Sequence, residues 1–287
     1  MSARARVGYA LVAVAACSWG AWPLILRHAP MDASLQSAVV MLVLTLVSGP
    51  FMLKDRSPER ATWRDWLGVA WLGVSDAGNI ALFFAAYQRT SVAIAVLTHY
   101  LTPIFVALAA PFVLGERAKP RTYGAVAIAF VGLCLLLEPW RTSANGFTGA
   151  ALGAGSAVFY ASNVLTNKRL AKAFSGSELM FFHGLVSVPI LFALVPLSQY
   201  GRIEASALLV VLAGALGPGA LAGLFFVWGL RRIPASHAST LSLFEPLVAV
   251  ILAAAVMGER VGGAGVLGGL LILVGAVLVI FAERKVE

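Results

Sequence analysis

The sequence predicts an all-α integral membrane protein whose ten transmembrane helices form two inverted five-helix repeats. Three observations lead to this fold class: the composition, the length of the apolar stretches, and a motif that occurs twice. Of the 287 residues, 60% are hydrophobic and 12% are charged, and the mean hydropathy is +0.89. Soluble globular domains carry about 25% charged residues. A lipid bilayer is therefore the expected environment of the chain.

Ten apolar stretches are long enough to cross a bilayer, which takes roughly 20 mostly apolar residues in a helix. Only short polar segments separate them, so no soluble domain fits between the spans. The expected spans are Val7–Leu26, Ala33–Leu53, Trp66–Tyr87, Val92–Leu114, Tyr123–Leu137, Gly149–Leu170, Leu179–Tyr200, Ala205–Leu230, Ala235–Met257 and Val261–Ala282.

A proline followed by Gly-Glu-Arg occurs once in each half of the chain. Pro103 lies 12 residues before Gly115, and Pro246 lies 12 residues before Gly258. The offset of 143 residues is half the chain and indicates a duplicated unit. Because each unit holds an odd number of spans, the second copy enters the membrane from the opposite side. Inverted repeats are typical of secondary transporters, which hold their substrate near the midplane between the repeats. The predicted repeats are residues 1–143 and 144–287.

Basic residues alternate between the two sides of the predicted bundle. Of the 21 Lys and Arg residues, 16 fall on the side of both termini. The positive-inside rule therefore predicts that both termini are cytoplasmic, in a multi-pass protein of the cell (inner) membrane. Topology accounts for the net charge of +8, so no nucleic-acid partner is expected. The five basic residues on the other side are Arg27, Arg89, Arg141, Arg202 and Arg260.

Several of these motifs together resemble a known family. They are Trp19-Gly20 in span 1, Pro103 with Gly115-Glu116 in span 4, and Glu245-Pro246 with Gly258-Glu259 in span 9. This combination resembles the drug/metabolite transporter superfamily, and within it the ten-helix EamA-type exporters, over the whole chain. The resemblance implies export of small metabolites such as amino acids by alternating access through a central cavity. The aromatic content is similar to that of the YddG-like exporters, which implies aromatic or neutral amino acids.

Polar side chains inside the spans are the first candidates for function, because each is costly in hydrocarbon and normally faces a cavity or a partner. Asp76 and Asn79 lie three residues apart on one face of span 3, with Phe83 a turn further. They indicate a substrate or proton site; the alternative is a carboxyl that only bonds to neighbouring helices. Glu245 is equally deep and precedes Pro246. Substrate contact and a structural or gating role are both open for it.

Aromatic and amide side chains supply the other candidates. His99 and Tyr100 stand just before Pro103, where a cavity role competes with simple packing. His183 has no such neighbours and is expected to be structural. An aromatic cavity with few polar groups suits an amphipathic or aromatic solute. The predicted substrate-binding residues are Trp19, Trp22, Asp76, Asn79, Phe83, His99, Tyr100, Tyr160, Asn163, Phe226, Trp228, Ser242 and Glu245, and the predicted hinges are Pro103, Pro218 and Pro246.

Motifs of other protein classes are missing from the sequence. It holds no Walker A pattern, no metal-ligand spacing and no dinucleotide-binding loop. Cys17 and Cys134 lie in separate spans and are expected to be buried free thiols. We therefore expect no cofactor, no metal and no catalytic residue. The remaining alternative is a membrane-embedded enzyme or translocator for a lipid-linked or nucleotide-sugar substrate. Besides the substrate and lipid, protons are a candidate partner, and a monomer is expected rather than a dimer.

Overall fold

The computed structural model describes residues 2–22, 25, 29, 31–57, 59–116, 119–141, 146–201, 203–258 and 261–282, and these are helical with short connections. We number the helices by span and add a letter where a span has two segments. They are α1 (Ala3–Trp19), α2 (Ala33–Lys54), α3 (Trp63–Tyr87), α4a (Val92–His99), α4b (Thr102–Val113), α5 (Pro120–Leu137), α6 (Phe147–Leu170), α7 (Gly176–Leu194), α8a (Ala205–Gly214), α8b (Ala222–Leu230), α9a (Ala235–Leu241), α9b (Phe244–Met257) and α10 (Gly263–Ala282). Three shorter pieces are a π-helical turn (Ala215–Leu221), a 3₁₀ turn (Pro139–Arg141) and a helix Leu197–Tyr200.

Eight spans are long and apolar enough in the described residues to cross a membrane. This agrees with the predicted all-α membrane fold. The other two are α1, described over 17 residues, and α6. The α6 helix is diluted by small and polar residues such as Ser156 and Asn163, which are buried against α3 and α4 rather than facing lipid. Span 7 is shorter than predicted, because its helix ends at Leu194 and Pro196 leads into a separate short helix.

Corresponding helices of the two halves pack antiparallel, as an inverted repeat requires. A Cβ atom added to Gly132 of α5 would lie 2.7 Å from the carbonyl oxygen of Gly268 in α10. Further back along α5, Ala129 meets Gly275, so the numbering rises in one helix as it falls in the other. Only glycine permits backbones to approach so closely.

The pair α2 and α7 repeats this arrangement. Thr45 lies against Gly184, and Phe181 against Gly49. The packing of α1 against α8b is likewise matched by that of α6 against α3.

The two motif glycines have the same backbone conformation. Gly115 has φ +69° and Gly258 has φ +70°, a region that other residues rarely adopt. Each follows the end of its helix, α4b or α9b, and turns the chain out of the bundle. Arg117, Glu259 and Arg260, the rest of the repeated motif, lie outside the described residues.

Two of the three predicted hinge prolines, Pro103 and Pro246, follow a break instead of kinking a continuous helix. Span 4 is interrupted at Tyr100–Leu101, and Pro103 lies in the first turn of α4b. Span 9 is interrupted at Ser242–Leu243, and Pro246 lies in the first turn of α9b. Proline suits a first turn, where its missing N–H needs no acceptor. The break therefore lies two to four residues before each proline.

Two further features of the spans differ in detail from expectation. Pro218 lies within the π-helical turn of span 8, where the regular hydrogen-bond ladder is already altered. The two cysteines are free thiols, but Cys17 is exposed on the outer face of α1 rather than buried, and Cys134 is partly exposed. The sequence position of each cysteine indicated its span, but not which face of the helix it lies on.

Candidate functional site

A cavity of about 280 Å³ lies inside the bundle between the two halves of the chain. We call it the central cavity. Helices α1, α2, α3 and α4a line it from the first half, and α6, α7, α8 and α9b from the second. Nine of the predicted substrate-binding residues line it: Trp19, Trp22, Asp76, Asn79, His99, Tyr160, Asn163, Phe226 and Glu245.

One corner of the central cavity is rich in hydrogen-bond acceptors. Asn163 Nδ2 donates to Asp76 Oδ1 over 3.2 Å. The second oxygen, Asp76 Oδ2, lies 3.8 Å from His183 Nε2. Among the described residues, Asp76 Oδ2, Asn79 Oδ1 and Asn167 Oδ1 are buried without a hydrogen-bond partner. Buried acceptors are normally satisfied, so three of them along one cavity indicate a ligand with N–H or O–H donors. We call this group the polar corner.

Aromatic side chains form a second part of the lining of the central cavity. The Trp19 and Phe226 rings lie 5.2 Å apart, centroid to centroid. His99 is stacked on Tyr160 at 5.3 Å, and its Nδ1 bonds to Ser156 Oγ over 2.8 Å. These contacts fix the rings in place and give the central cavity flat aromatic surfaces, which we call the aromatic wall.

A second cavity, of about 530 Å³, opens at one end of the bundle. This end, which we call the Glu138 end, includes Glu138 and the exposed Arg141. The cavity lies between α4a and α9b, and we call it the vestibule. Trp19 and Glu245 line both the vestibule and the central cavity, so the two spaces meet at these side chains.

Two predicted site residues belong to the vestibule and not to the central cavity. Phe83 lies beside the His99 ring, with centroids 4.2 Å apart. Tyr100 hydrogen-bonds to Glu245. Both side chains therefore lie on the route between the Glu138 end and the central cavity.

The opposite end of the bundle is crossed by polar contacts among its described residues. We call it the Glu116 end. Glu116 Oε2 accepts a hydrogen bond from the backbone N–H of Ala235 over 2.8 Å. Lys168 Nζ lies 3.7 Å from Glu116 Oε1 and donates to the carbonyl oxygens of Leu230 (2.7 Å) and Ile233 (2.5 Å). These bonds join the ends of α4b, α6 and α8b to the start of α9a.

A second layer lies beside this seal. The Tyr9 hydroxyl is 2.6 Å from His237 Nδ1, and both side chains are buried. Arg231 donates to the carbonyl oxygen of Phe174 over 2.5 Å. Within the part of the chain that the structure describes, the Glu116 end is thus sealed by polar contacts and the vestibule opens at the Glu138 end.

Two predicted site residues lie outside both cavities. Trp228 is two positions after Phe226, which turns its side chain about 200° around the helix. Its Nε1 donates to Ser177 Oγ over 3.3 Å, and its ring packs against Phe51. Ser242 lies in the break of span 9, where its hydroxyl donates to the Ala238 carbonyl oxygen over 3.3 Å. The structure places Trp228 away from the central cavity, whereas the Ser242 side chain hydrogen-bonds to Tyr160, which lines that cavity.

His183 and Asn167, in contrast, line the central cavity and were not among the predicted site residues. His183 is 1% exposed and faces Asp76, so its expected purely structural role is not supported by its position. Asn167 follows Asn163 by four residues, the spacing that places two side chains on one helix face. That spacing was the available signal for Asn167. Within the described residues, no three metal-ligating side chains cluster.

Comparison with known proteins gives one consistent result. The model of the EamA-like transporter family matches residues 6–138 and again residues 147–281. An uncharacterized transporter of Archaeoglobus fulgidus is 29% identical over 276 residues, which cover 95% of this chain and 96% of that protein. The threonine/homoserine exporter RhtA of Salmonella typhimurium is 27% identical over 90% of this chain and 85% of its own. A solved crystal structure at 20% identity has a TM-score of 0.79 over 99% of both chains, which shows a shared fold.

Proposed function

Since the chain belongs to the EamA-like transporter family and is therefore a membrane transporter and not an enzyme, we propose that it exports neutral amino acids, aromatic ones included. The observation that carries this proposal is the pairing of the polar corner with an aromatic wall in one cavity. An amino acid presents the matching surfaces, an ammonium group and a side chain. Transport follows alternating access, with the substrate held in the central cavity between the repeats.

The polar corner suits the ammonium group. An ammonium carries three N–H donors and no acceptor. Asp76 Oδ2, Asn79 Oδ1 and Asn167 Oδ1 are acceptors that lack a partner among the described residues. The Asp76 carboxylate also supplies a negative charge, and charge-assisted hydrogen bonds are the stronger kind.

The aromatic wall suits the substrate side chain. Trp19 and Phe226 from one side and Tyr160 from another bound the space beyond the polar corner. An aromatic contact contributes about 0.5–1.5 kcal/mol beyond its buried area. The cavity volume of about 280 Å³ lies near the lower limit of drug-sized pockets, so it fits a small metabolite.

The charge distribution supports the proposed orientation of the protein in the membrane. The Glu116 end lies on the side that carries 16 of the 21 Lys and Arg residues, which favours a cytoplasmic location. The described conformation would then be open to the exterior and sealed towards the cytoplasm. Several relatives are named exporters, which supports outward flux. The resemblance to YddG-like exporters favours aromatic substrates, whereas the relatives named threonine/homoserine exporters favour small polar ones. The test below therefore compares substrates of both kinds.

Counterflow of labelled amino acids in proteoliposomes tests this function. Threonine, leucine and phenylalanine should be exchanged by the wild-type protein. Trp19→Ala should weaken phenylalanine exchange roughly fivefold to tenfold more than threonine exchange, because the lost contact contributes about 1–1.5 kcal/mol only when an aromatic ring meets it. Trp228→Ala, outside both cavities, is the matched control and should leave this ratio unchanged. An equal effect of Trp19→Ala on all three substrates, or no exchange of any of them by folded protein, contradicts the proposal.

A further inference from the structure

The hydrogen bonding of His183 determines which of its ring nitrogens carries a proton. His183 Nδ1 lies 2.6 Å from the carbonyl oxygen of Leu179, one turn earlier in α7. A carbonyl oxygen only accepts hydrogen bonds, so Nδ1 must be the donor and must bear hydrogen. In a neutral imidazole the other nitrogen, Nε2, is then an unprotonated acceptor.

That second nitrogen faces another acceptor. His183 Nε2 lies 3.8 Å from Asp76 Oδ2, and Asp76 Oδ2 receives no hydrogen bond from the described residues. If His183 is neutral and Asp76 is ionised, two lone pairs face each other in a buried site. One additional proton removes this conflict, either as an imidazolium beside a carboxylate or as a carboxyl group that donates to Nε2.

The surroundings offer Asp76 no other positive charge. The titratable side chains that line the central cavity besides Asp76 and His183 are His99 from α4a, Tyr160 from α6 and Glu245 from α9b. The lining from α2 is apolar, and α7 adds only Met180 besides His183. No Lys or Arg is among the lining residues that the structure describes. A buried carboxylate without a positively charged partner is strongly unfavourable, so a proton shared by Asp76 and His183 stabilises the pair electrostatically.

We propose that Asp76 and His183 together hold one exchangeable proton, and that the substrate ammonium displaces it, which makes the protein a proton/amino-acid antiporter. The proposal rests on the function proposed above. As the ammonium binds to the Asp76 carboxylate, the proton leaves the pair for water, from His183 Nε2 in the imidazolium form or from the Asp76 carboxyl in the neutral form. No electrons are transferred, and the imidazole ends in its neutral form with hydrogen on Nδ1.

Mutual exclusion gives the coupling. An imidazolium and an ammonium at the same carboxylate would repel each other, so the site holds either the proton or the substrate. Exchange of one proton for one zwitterionic amino acid moves one elementary charge across the membrane per cycle. Transport should therefore respond to membrane voltage as well as to a pH gradient.

The first test measures protons directly. Detergent-solubilised protein in weakly buffered solution with a pH-indicator dye should release close to one proton per molecule when saturated with threonine or phenylalanine. Asp76→Asn and His183→Gln should abolish this release. Trp228→Ala is the control, because Trp228 lies outside both cavities and outside the seal and donates to Ser177. It should release protons as the wild type does.

A second test needs no substrate. In the ¹⁵N NMR spectrum of histidine-labelled protein in lipid, the His183 resonance is the one that disappears in His183→Gln. It should report hydrogen on Nδ1 and a titrating Nε2 whose protonation depends on Asp76, and Asp76→Asn should leave it neutral. A neutral His183 in the wild type at all pH values, with an ionised Asp76, overturns the proposal. Amino-acid exchange that is insensitive to pH gradients and releases no protons overturns antiport but leaves the proposed function standing. Absence of any amino-acid exchange overturns both.

Discussion

The two ends of the bundle are made of equivalent parts of the two repeats, yet one is sealed and the other is open. At the Glu116 end, Glu116 bonds to the start of α9a, and Lys168 lies beside it. At the Glu138 end, the vestibule lies between the start of α4a and the end of α9b. The repeat relates these two places, so the difference is one of conformation.

The sequence of the repeat carries the parts of the seal twice. An offset of 143 residues relates Glu116 to Glu259, and it also relates the helix start at Val92 to the helix start at Ala235. The basic residues Arg27 and Lys168 are 141 residues apart, the same offset that separates Trp19 from Tyr160. Arg27 and Glu259 lie outside the described residues, so this correspondence is one of sequence alone. Each end thus has its own acid, base and helix start, and we expect the second set to close the Glu138 end when the first opens. The pairs are Glu116 with Glu259, Ala235 with Val92, and Lys168 with Arg27.

The largest effect is expected from breaking the seal that is closed. Glu116→Ala leaves Lys168 and the Ala235 N–H without their acidic partner. A charge-assisted hydrogen bond contributes about 1.5–3 kcal/mol, which shifts a two-state equilibrium by roughly tenfold to 150-fold. Labelling of Ser236→Cys, a buried position in α9a, should accelerate accordingly in a background of Cys17→Ser and Cys134→Ser.

The matched control for this experiment is Glu138→Gln. Glu138 is also an acid at a bundle end, but its partner Arg141 is 70% exposed, so the ion pair contributes at most about 1 kcal/mol. It should change the labelling of Ser236→Cys by no more than about fivefold. Equal labelling of Glu116→Ala and the wild type, with both folded, would show that Glu116 does not hold the seal.

The second substitution tests the other set of parts. Glu259→Ala should weaken the conformation that is closed at the Glu138 end and should slow exchange. At rest, it should lower the labelling of Ser236→Cys, opposite in sign to Glu116→Ala. The change should be smaller, because the equilibrium moves further towards the conformation described here. Faster labelling would contradict the equivalence of the two ends.

The smallest effects are expected from the two prolines. Pro103 and Pro246 lie in first turns, where they sacrifice no hydrogen bond, so replacement by alanine changes stability by about 1 kcal/mol or less. If the breaks before them act as hinges, Pro103→Ala and Pro246→Ala should shift the labelling of Ser236→Cys in opposite directions. Shifts of the same sign, or none with normal exchange, would mark them as static features.

The fold was predictable because a bilayer restricts the possible structures so strongly. Ten apolar stretches allow little besides ten helices, and an odd number of spans in each repeat determines the inversion. The end of span 7 was missed because Leu197 and Tyr200 continue the apolar pattern beyond Pro196, although the helix ends before it. Composition alone does not distinguish a membrane helix from an apolar segment that follows it.

The candidate site was harder to predict. A sequence indicates how deep in the membrane a residue lies, but it indicates less well which way its side chain faces around the helix. Asp76 and Asn79 stood out because polar residues within a span are rare. Trp228 was chosen for its residue type, but it lies on the opposite face of the helix from Phe226. His183 was set aside because its partner is 107 positions away in sequence, and only the packing of α3 against α7 brings it to Asp76.

The composition of α6 has a consequence for how the protein is made. Its polar side chains find their partners on helices of the first half: Ser156 on His99, Ser162 on Trp71, and Asn163 on Asp76. A nascent α6 that enters lipid before these partners would expose unsatisfied polar groups to hydrocarbon, at a cost of several kcal/mol. The ribosome delivers α3 and α4 first, so they are present as a template when α6 leaves the translocon. The order of the two halves along the chain is thus also the order in which the membrane can accept them.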